Sequence, residues 1–298
     1  MDDLGIVILN WNTRALLQRC LETVYASEGD ITFRVVVVDN ASSDDSAAMV
    51  REYFPQATLI QSPTNNGYSY GNNLGLRELG FGGRANTSKD APRYALLLNP
   101  DTEVPANVFA HMVAWMDGRR DVGAAGVKLV LPDGTLDKAC RRSFPTPMIS
   151  IYHFSGLGKL FPDSPRFARY NMTYLSPDVE TEVDSVVGAY MQVRREAIDA
   201  VGLLDEVFFM YGEDIDWAFR IKNAGWKIVY HPQVEVKHVK RAASKQSQRA
   251  QYEFWRAMLI FYRKHYRATT PLLLHSLIMM GLLVKGGRGL WTEMRRPA

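Results

Sequence analysis

Polar residues that can bind a nucleotide and a metal ion occur at four places where an apolar segment ends. These clusters are Asn10-Trp11-Asn12, Asp39-Asn40, Asn99-Pro100-Asp101 and Glu213-Asp214. Asp39 can accept the ring N–H of a pyrimidine base, and the amides of Asn12 and Asn40 offer further donors and acceptors around it. Turn formation and helix capping use the same residue types, so the interpretation depends on the four clusters occurring together.

A segment rich in glycine and asparagine, residues 65–73, precedes an apolar helix. Gly67 and Gly71 let the backbone approach a ligand closely, and the N-terminus of the helix can face a phosphate. Asn72 and Asn73 add amide groups beside it. The segment is neither a Walker loop nor a G-x-G-x-x-G motif, which argues against a dinucleotide-dependent dehydrogenase. A plain turn followed by a helix remains the alternative.

Asp101 and His238 are the candidate metal ligands. A diphosphate that leaves a sugar gains negative charge, so a divalent cation bound to its oxygens needs hard oxygen ligands at a fixed place. Asp101 is such a ligand, and His238 on the last predicted strand can complete the site. An imidazole ligand favours manganese while still permitting magnesium. A single histidine without a spacing signature is also compatible with an ordinary polar residue.

Asp214 is the candidate general base. Sugar transfer with inversion requires a group that removes the proton of the acceptor hydroxyl as its oxygen attacks the anomeric carbon. Asp214 lies at a predicted helix start, where the helix dipole stabilises a carboxylate. Glu213, Trp217 and Arg220 are candidates for contact with the acceptor from the same part of the chain. The alternative is that Asp214 is only an acidic N-cap.

The elements that carry the first clusters alternate between strands and helices. Apolar runs predict strands at residues 4–11, 34–40, 58–61 and 94–99, with amphipathic helices between them. Strands separated by helices pair in parallel through right-handed crossovers, and ligands bind at their carboxyl ends. The sequence therefore predicts an α/β fold with a Rossmann-like nucleotide-binding half.

The sheet is expected to continue beyond this half. Further strands are predicted at residues 127–131, 185–194, 227–230 and 235–238, with one helix ending at Gly202 and another at residues 215–224. Residues 141–182 hold many aromatic, proline and basic residues without a clear period. Such a connection is typical of a segment that covers a substrate, so we expect it to contribute to the choice of acceptor.

Six segments taken in order resemble family 2 glycosyltransferases, especially their rhamnosyltransferase-like branch. They are NWN, VVVVDNASSDDS, NNGYSYGNNLGLR, LLLNPDTEV, GAYMQVRREAIDAVGLLDEVFFMYGEDIDWAFRIKNAGW and HVKRAAS, and they cover residues 4 to 244. The resemblance implies a GT-A fold, in which a nucleotide-binding half and an acceptor-binding half share one continuous mixed sheet. It places the catalytic domain at residues 1–245, followed by C-terminal helices.

The resemblance also assigns a role to individual residues. For the nucleotide, it implies that Asn10 and Asn12 line the base and ribose, that Asp39 binds the pyrimidine, and that Gly67, Asn72 and Asn73 border the ligand. For the metal, it implies that Asn99 and Asp101 occupy the D-x-D positions and that His238 approaches the ion. It also implies that Asp214 is the catalytic base. The chain departs from the pattern at Asn99, where the family has a carboxylate. Glu103 is a candidate to compensate for that loss.

The C-terminal residues differ from the rest of the chain in charge. The net charge is +3, but residues 237–298 carry +11 and the preceding residues −8. An amphipathic helix is predicted at residues 248–266, and the apolar run after it is shorter than the about 20 residues that span a bilayer. Residues 246–298 are therefore expected to bind a membrane surface, with basic groups at Lys285, Arg288, Arg295 and Arg296. The alternatives are a helix pair packed on the sheet and a homodimer contact.

The expected location is cytoplasmic and peripheral, at the inner face of the cell membrane. The two cysteines form no metal or disulfide motif, and no secretory signal follows Met1. Aliphatic residues accompany the basic ones at the C-terminus, which favours a bilayer over nucleic acid as the partner.

The predicted activity is inverting transfer of a sugar to a cell-envelope glycan or its lipid-linked precursor, with rhamnose from dTDP-rhamnose as a candidate donor. A nucleotidyltransferase is an alternative, but it needs a basic glycine-rich loop near the N-terminus, and NWNTRALL contains no glycine. A catalytically degenerate scaffold at the membrane is another, because of Asn99. The presence of Asp214 argues against it.

Overall fold

The computed structural model describes residues 2–82, 87–239 and 248–295. Its first four strands are β1 (Leu4–Asn10), β2 (Phe33–Asp39), β3 (Thr58–Gln61) and β4 (Tyr94–Leu98), and they pair in parallel in the order β3-β2-β1-β4. They are connected by α1 (Arg14–Tyr25), α2 (Ser46–Tyr53) and α3 (Tyr68–Glu78). The predicted Rossmann-like half is confirmed.

Burial explains why these strands have nearly continuous apolar sequences. All five residues of β4 are buried, as are six of the seven in β1. A strand covered by helices on both faces has no polar face, so its sequence does not alternate. The buried polar residues of β1 and β2 are Asn10 and Asp39, which lie at the strand ends and are paired in the register of the two strands.

The same sheet continues into the second half of the chain, as predicted. Its order is β3-β2-β1-β4-β8-β6-β9-β5, and β7 pairs with β9. The additional elements are β5 (Thr102–Glu103), α4 (Val108–Asp117), β6 (Val122–Val130), β7 (Thr181–Glu182), β8 (Tyr190–Arg194), α7 (Arg195–Val201), α8 (Glu213–Asn223) and β9 (Lys227–His238). Since β8 is antiparallel to β4 and β6 while β6 is parallel to β9, the sheet is mixed.

Several predicted elements have different boundaries in the structure, including the strand predicted at residues 127–131, which is β6 (Val122–Val130). The strand predicted at residues 185–194 begins only at Tyr190. The two predicted pieces after residue 227 form one strand, β9, whose register with β6 shifts where Pro232 interrupts the pairing. Residues 141–182, which have no clear period, contain the short helices α5 (Pro147–Phe154) and α6 (Leu157–Leu160).

Two long helices, α9 (Gln248–His265) and α10 (Leu272–Met294), follow the sheet. Ala257 and Phe261 of α9 pack against Phe208 and Ile215, so this helix contacts the start of α8. On another face, α9 packs against Leu282 and Leu290 of α10. Within the described ranges, no helix combines the length and apolarity needed to cross a membrane.

Candidate active site

The ends of β1 and β2 form a hydrogen-bonded unit around Asp39. Asn10 Nδ2 donates to Asp39 Oδ1 and to Ser42 Oγ, both at 3.1 Å, and the Ser42 amide donates to Asp39 Oδ2 at 3.1 Å. Asn10 is fully buried, so it holds the Asp39 carboxylate in place from the interior of the protein. Asn12 lies at the rim, where its side-chain oxygen accepts from the amide of Ser43 at 2.8 Å. Asp39 retains acceptor capacity for a base N–H because each carboxylate oxygen has two lone pairs.

The glycine-rich segment packs tightly against other parts of the protein. Gly67 has a φ of +96°, and a Cβ at this position would lie 2.4 Å from the carbonyl oxygen of Phe209. A Cβ on Gly71 would lie 2.3 Å from a methyl group of Leu9. Both glycines are therefore required for packing: Gly67 joins the nucleotide-binding half to the loop before α8, and Gly71 brings α3 close to β1.

Asn72 and Asn73, both predicted to border the nucleotide, are buried in α3. The Asn72 side chain donates to the carbonyl of Tyr68 at 3.0 Å. Asn73 donates to the carbonyl of Leu204 at 2.9 Å and to Glu206 at 2.8 Å, and it accepts from the amide of Leu204 at 3.1 Å. These bonds occupy both amide hydrogens of Asn73, and they connect the two halves of the domain.

The hydroxyl of Tyr68 contacts both halves of the site. Its hydroxyl lies 3.0 Å from both Asn99 Oδ1 and the carbonyl oxygen of Gly188. Burial raises its pKa well above the usual value, and the negative charges of Glu213, Asp214 and Asp101 raise it further. The Tyr68 hydroxyl therefore lies between Asn99 and Gly188, whose amide binds Asp214. The oxygen of Asn99 already accepts this hydroxyl, which explains how an amide is accommodated at the first D-x-D position.

Asp101 and His238 are adjacent and form a possible cation site. His238 Nε2 lies 3.3 Å from Asp101 Oδ1, and His238 Nδ1 lies 2.9 Å from Asp137 Oδ2. Burial alone would lower the pKa of His238, but hydrogen bonds to the two aspartates outweigh it and raise the pKa to about 9. Carboxylate and imidazole groups both bind divalent cations, so Asp101 and the neutral form of His238 would be the protein ligands of such an ion.

The described residues offer few ligands for a cation at this position. Across the described residues, no group of three or more His, Cys, Asp or Glu side chains is arranged to hold a metal. Glu103 does not compensate for Asn99, because it pairs with Arg19 and, at 3.4 Å, with Lys237. A cation here would take its remaining ligands from diphosphate oxygens and water, as Mg²⁺ commonly does.

Asp214 is held by a buried arginine. Arg142 Nη2 donates to Asp214 Oδ2 at 2.7 Å, and the amide of Gly188 donates to the same oxygen at 3.1 Å. The other oxygen accepts from the amide of Ile215 at 2.8 Å, at the first turn of α8. Burial by itself would lower the pKa of Arg142, but the charge of Asp214 and the neighbouring Tyr170 raise it. The arginine therefore stays charged and stabilises the carboxylate.

Glu213 is buried beside Asp214 in a different electrostatic state. Burial and the charge of Asp214 raise the pKa of Glu213 to about 8. Its Oε2 atom has no hydrogen-bond partner among the described residues. Near neutral pH, Glu213 therefore favours its neutral acid form, which makes it a poor proton acceptor.

Trp217 and Arg220, expected to contact the acceptor, have other roles. Trp217 is fully buried, and its Nε1 donates to the carbonyl of Gly202 at 2.9 Å. Arg220 donates to Asp216 and to the carbonyls of Val201 and Leu203, each at 2.9 Å. Through these bonds the two residues fix the loop after α7 to α8.

The comparison with known families agrees with this arrangement. The model described as "Glycosyltransferase like family 2" matches residues 2–252. The chain belongs to glycosyltransferase family 2. This family 2 glycosyltransferase is 30% identical over 241 residues to N-acetylglucosaminyl-diphospho-decaprenol L-rhamnosyltransferase of Mycobacterium tuberculosis, covering 80% of the chain and 76% of that protein. It is 23% identical over 233 residues to Rhamnosyltransferase WbbL of Escherichia coli, covering 78% and 82%.

Solved structures confirm the GT-A fold of this family 2 glycosyltransferase. The mannosyltransferase PcManGT of Pyrobaculum calidifontis, in complex with GDP-Man and Mn²⁺, superimposes with a TM-score of 0.59 at 16% identity, covering 99% of the chain and 86% of PcManGT. GalNAc-T7 with UDP, GalNAc and Mn²⁺ gives 0.60 at 15% identity, covering 91% of the chain and 52% of GalNAc-T7.

Three residues of the site were not found from the sequence of this family 2 glycosyltransferase: Tyr68, Asp137 and Arg142. Asp137 and Arg142 lie 101 and 72 positions from their partners His238 and Asp214, so no periodic signal connects them. The sequence cue for Arg142 is the adjacent pair Arg141-Arg142 at the start of the aromatic and proline-rich connection. Part of the HVKRAAS segment, residues 240–244, lies outside the described residues.

Proposed function

We propose that this protein transfers rhamnose from a dTDP-linked donor, with inversion, to a lipid-linked precursor of a cell-envelope glycan. The choice of sugar and acceptor is supported by the two relatives, which are named as rhamnosyltransferases, one of them acting on a diphospho-decaprenol carrier. The observation that carries the chemistry is the Tyr68 hydroxyl, which lies 3.0 Å from both Asn99 Oδ1, two residues before Asp101, and the carbonyl oxygen of Gly188, whose amide binds Asp214. A donor diphosphate and an acceptor hydroxyl would meet at this point.

The donor would lie along the carboxyl ends of β1, β2 and β4. Asp39 accepts the ring N–H of the pyrimidine, and Asn12 at the rim is near the ribose. Asp101 and His238 would hold a divalent cation, Mn²⁺ or Mg²⁺, with His238 in its neutral form, and the cation would neutralise the charge that develops on the departing diphosphate. Asp137 fixes the orientation of His238 through the hydrogen bond to Nδ1.

Asp214 acts as the general base in this proposal. It removes the proton of the acceptor hydroxyl as that oxygen attacks the anomeric carbon on the face opposite the diphosphate. Arg142 and the amides of Gly188 and Ile215 hold both carboxylate oxygens in place. The neutral Glu213 can donate a hydrogen bond from its protonated carboxyl group to the acceptor.

The C-terminal segment, residues 246–298, is proposed to attach the enzyme to the cytoplasmic face of the membrane. The exposed face of α10 carries Leu272, Leu273, Leu277, Met280 and Val284. Lys285 and Arg295 lie on the same helix or at its end, while the Arg288 side chain and Arg296 lie outside the described part. Apolar side chains flanked by basic ones suit the surface of an anionic bilayer.

Cosedimentation with vesicles tests this attachment. Binding to phosphatidylglycerol vesicles should fall when Leu273 and Val284 are replaced by Gln, while binding of dTDP stays unchanged. If the double variant binds vesicles as well as the wild type does, α10 is not the attachment site. If the variant instead loses a dimer that the wild type forms, the exposed face of α10 contacts a second copy of the chain.

Nucleotide binding tests the donor site. We expect dTDP or UDP with Mn²⁺ to raise the melting temperature of the wild type more than GDP or CMP does, because a ligand that binds only the folded state stabilises it. Chelation of the metal with EDTA, or the variant Asp101→Asn, should remove most of that shift. Stabilisation by no nucleotide in the presence of Mn²⁺ would refute the proposed function.

A further inference from the structure

An open cavity of about 610 Å³ lies against the connection between β6 and β7. Its apolar walls include Phe144 and three residues of α5: Met148, Ile149 and Tyr152. Arg166 and Arg169 line it from the other side. The cavity therefore combines an apolar surface with two guanidinium groups, a composition that suits neither a free sugar nor a purely apolar ligand.

The two arginines are not neutralised by carboxylates of the described chain. Arg166 Nε donates to the hydroxyl of Tyr152 at 3.2 Å, and its guanidinium lies 5.7 Å from the centre of that ring. Arg169 is exposed and has no ion pair with a described residue. Asp184 also lines the cavity, but it accepts from the amide of Phe144 at 3.0 Å and from Lys222 Nζ at 2.9 Å. The cavity consequently has excess positive charge.

The cavity adjoins the network that holds the proposed base. Arg142, which binds Asp214 at 2.7 Å, also hydrogen-bonds to Tyr170, the residue after Arg169. The amide of Ser143 donates to the carbonyl of Tyr170 at 3.0 Å, so the two cavity walls are connected beside Arg142. A ligand in the cavity would therefore lie on the acceptor side of the site, away from Asp39.

We propose that this cavity binds the diphosphate and the first apolar units of a lipid-diphosphate acceptor. Arg166 and Arg169 contact the phosphates, since guanidinium groups match phosphate oxygens in a bidentate manner. Met148 and Ile149 contact the chain that begins beyond the diphosphate. The proposal rests on the proposed function for its identification of the ligand as an acceptor, and it names the residues that select a charged lipid carrier.

Direct binding of farnesyl diphosphate to the full chain tests this site without requiring turnover. The wild type should bind farnesyl diphosphate more tightly than either inorganic diphosphate or farnesol, because each of these lacks one half of the interaction. The double variant Arg166→Gln/Arg169→Gln should bind it about tenfold or more weakly, as expected for the loss of charge-assisted hydrogen bonds. Arg120→Gln is the matched control, because Arg120 is an exposed arginine that does not line the cavity.

A second variant separates the apolar contribution. Met148 is 45% exposed, so Met148→Gln is not expected to disturb folding. It should weaken farnesyl diphosphate while leaving inorganic diphosphate unchanged. The proposal is overturned if the arginine variant and the control bind farnesyl diphosphate equally.

Anionic headgroups are the competing source of phosphate, and vesicles distinguish them. The double arginine variant should bind phosphatidylglycerol vesicles as well as the wild type does. Reduced vesicle binding with unchanged farnesyl diphosphate binding would assign the arginines to the membrane surface and overturn the proposal. Stabilisation by dTDP and Mn²⁺ should be the same in all variants; if the wild type itself lacks it, the donor assignment fails, whereas the farnesyl diphosphate result still decides the cavity.

Discussion

The two halves of the sheet position their functional groups by different means. In the nucleotide-binding half, Asn10 and Asp39 are paired neighbours at the ends of β1 and β2, so the strands themselves bring them together. In the acceptor half, Asp214 depends on Arg142 from a segment with little regular structure. Strand pairing alone positions the groups at the strand ends. The position of the proposed base depends on a buried ion pair between residues that are far apart in the sequence.

The largest effect on stability is expected from breaking that ion pair. Replacing Arg142 by Ala leaves Asp214 charged and buried without its partner, which typically costs about 3–5 kcal/mol. Chemical denaturation would measure the change in the free energy of unfolding. The matched control is Arg77→Ala, which removes an exposed pair with Glu206 at 2.8 Å and should cost less than about 1 kcal/mol. Equal losses of unfolding free energy in Arg142→Ala and Arg77→Ala would contradict the proposed dependence of the acceptor half on a buried ion pair.

A smaller effect is expected at the contact between the halves. Asn73→Ala removes three hydrogen bonds and leaves the backbone groups of Leu204 unpaired, which should cost about 1–3 kcal/mol. Since both amide hydrogens of Asn73 already bind protein groups, the folded variant should retain the wild-type affinity for dTDP and Mn²⁺. A large loss of affinity without loss of stability would restore Asn73 to the nucleotide site.

The third prediction concerns pH. The pKa of Glu213 in the folded protein, about 8, lies above its ordinary value of 4.5, so folding favours the protonated form. Its contribution to stability is complete below pH 4.5 and is lost as the pH rises through 8. The wild type should therefore lose stability between pH 5 and pH 8.5 relative to Glu213→Gln, in thermal or chemical unfolding. Parallel pH profiles for the two proteins would contradict the buried, neutral state of Glu213.

The same contrast explains what could be predicted from the sequence. The strands of the first half are apolar runs that end in polar clusters, so both the fold and Asp39 follow from local pattern. Residues 141–182 carry no such period. The role of Arg142 follows only from its contact with Asp214, which lies 72 positions away in the sequence. Trp217 and Arg220 were assigned from their proximity to Asp214 in sequence, but the helix turns them toward the loop after α7.

The most direct test of the account is sugar transfer by Asp214→Asn. With dTDP-rhamnose as donor and a lipid-diphosphate-linked N-acetylglucosamine as acceptor, the account predicts a fall in kcat of about 10² to 10⁴-fold, because a general base contributes that much. Stabilisation by dTDP and Mn²⁺ should be unchanged, and the exposed control Asp121→Asn should transfer at the wild-type rate. Wild-type turnover in Asp214→Asn would contradict the assignment of this carboxylate as the base.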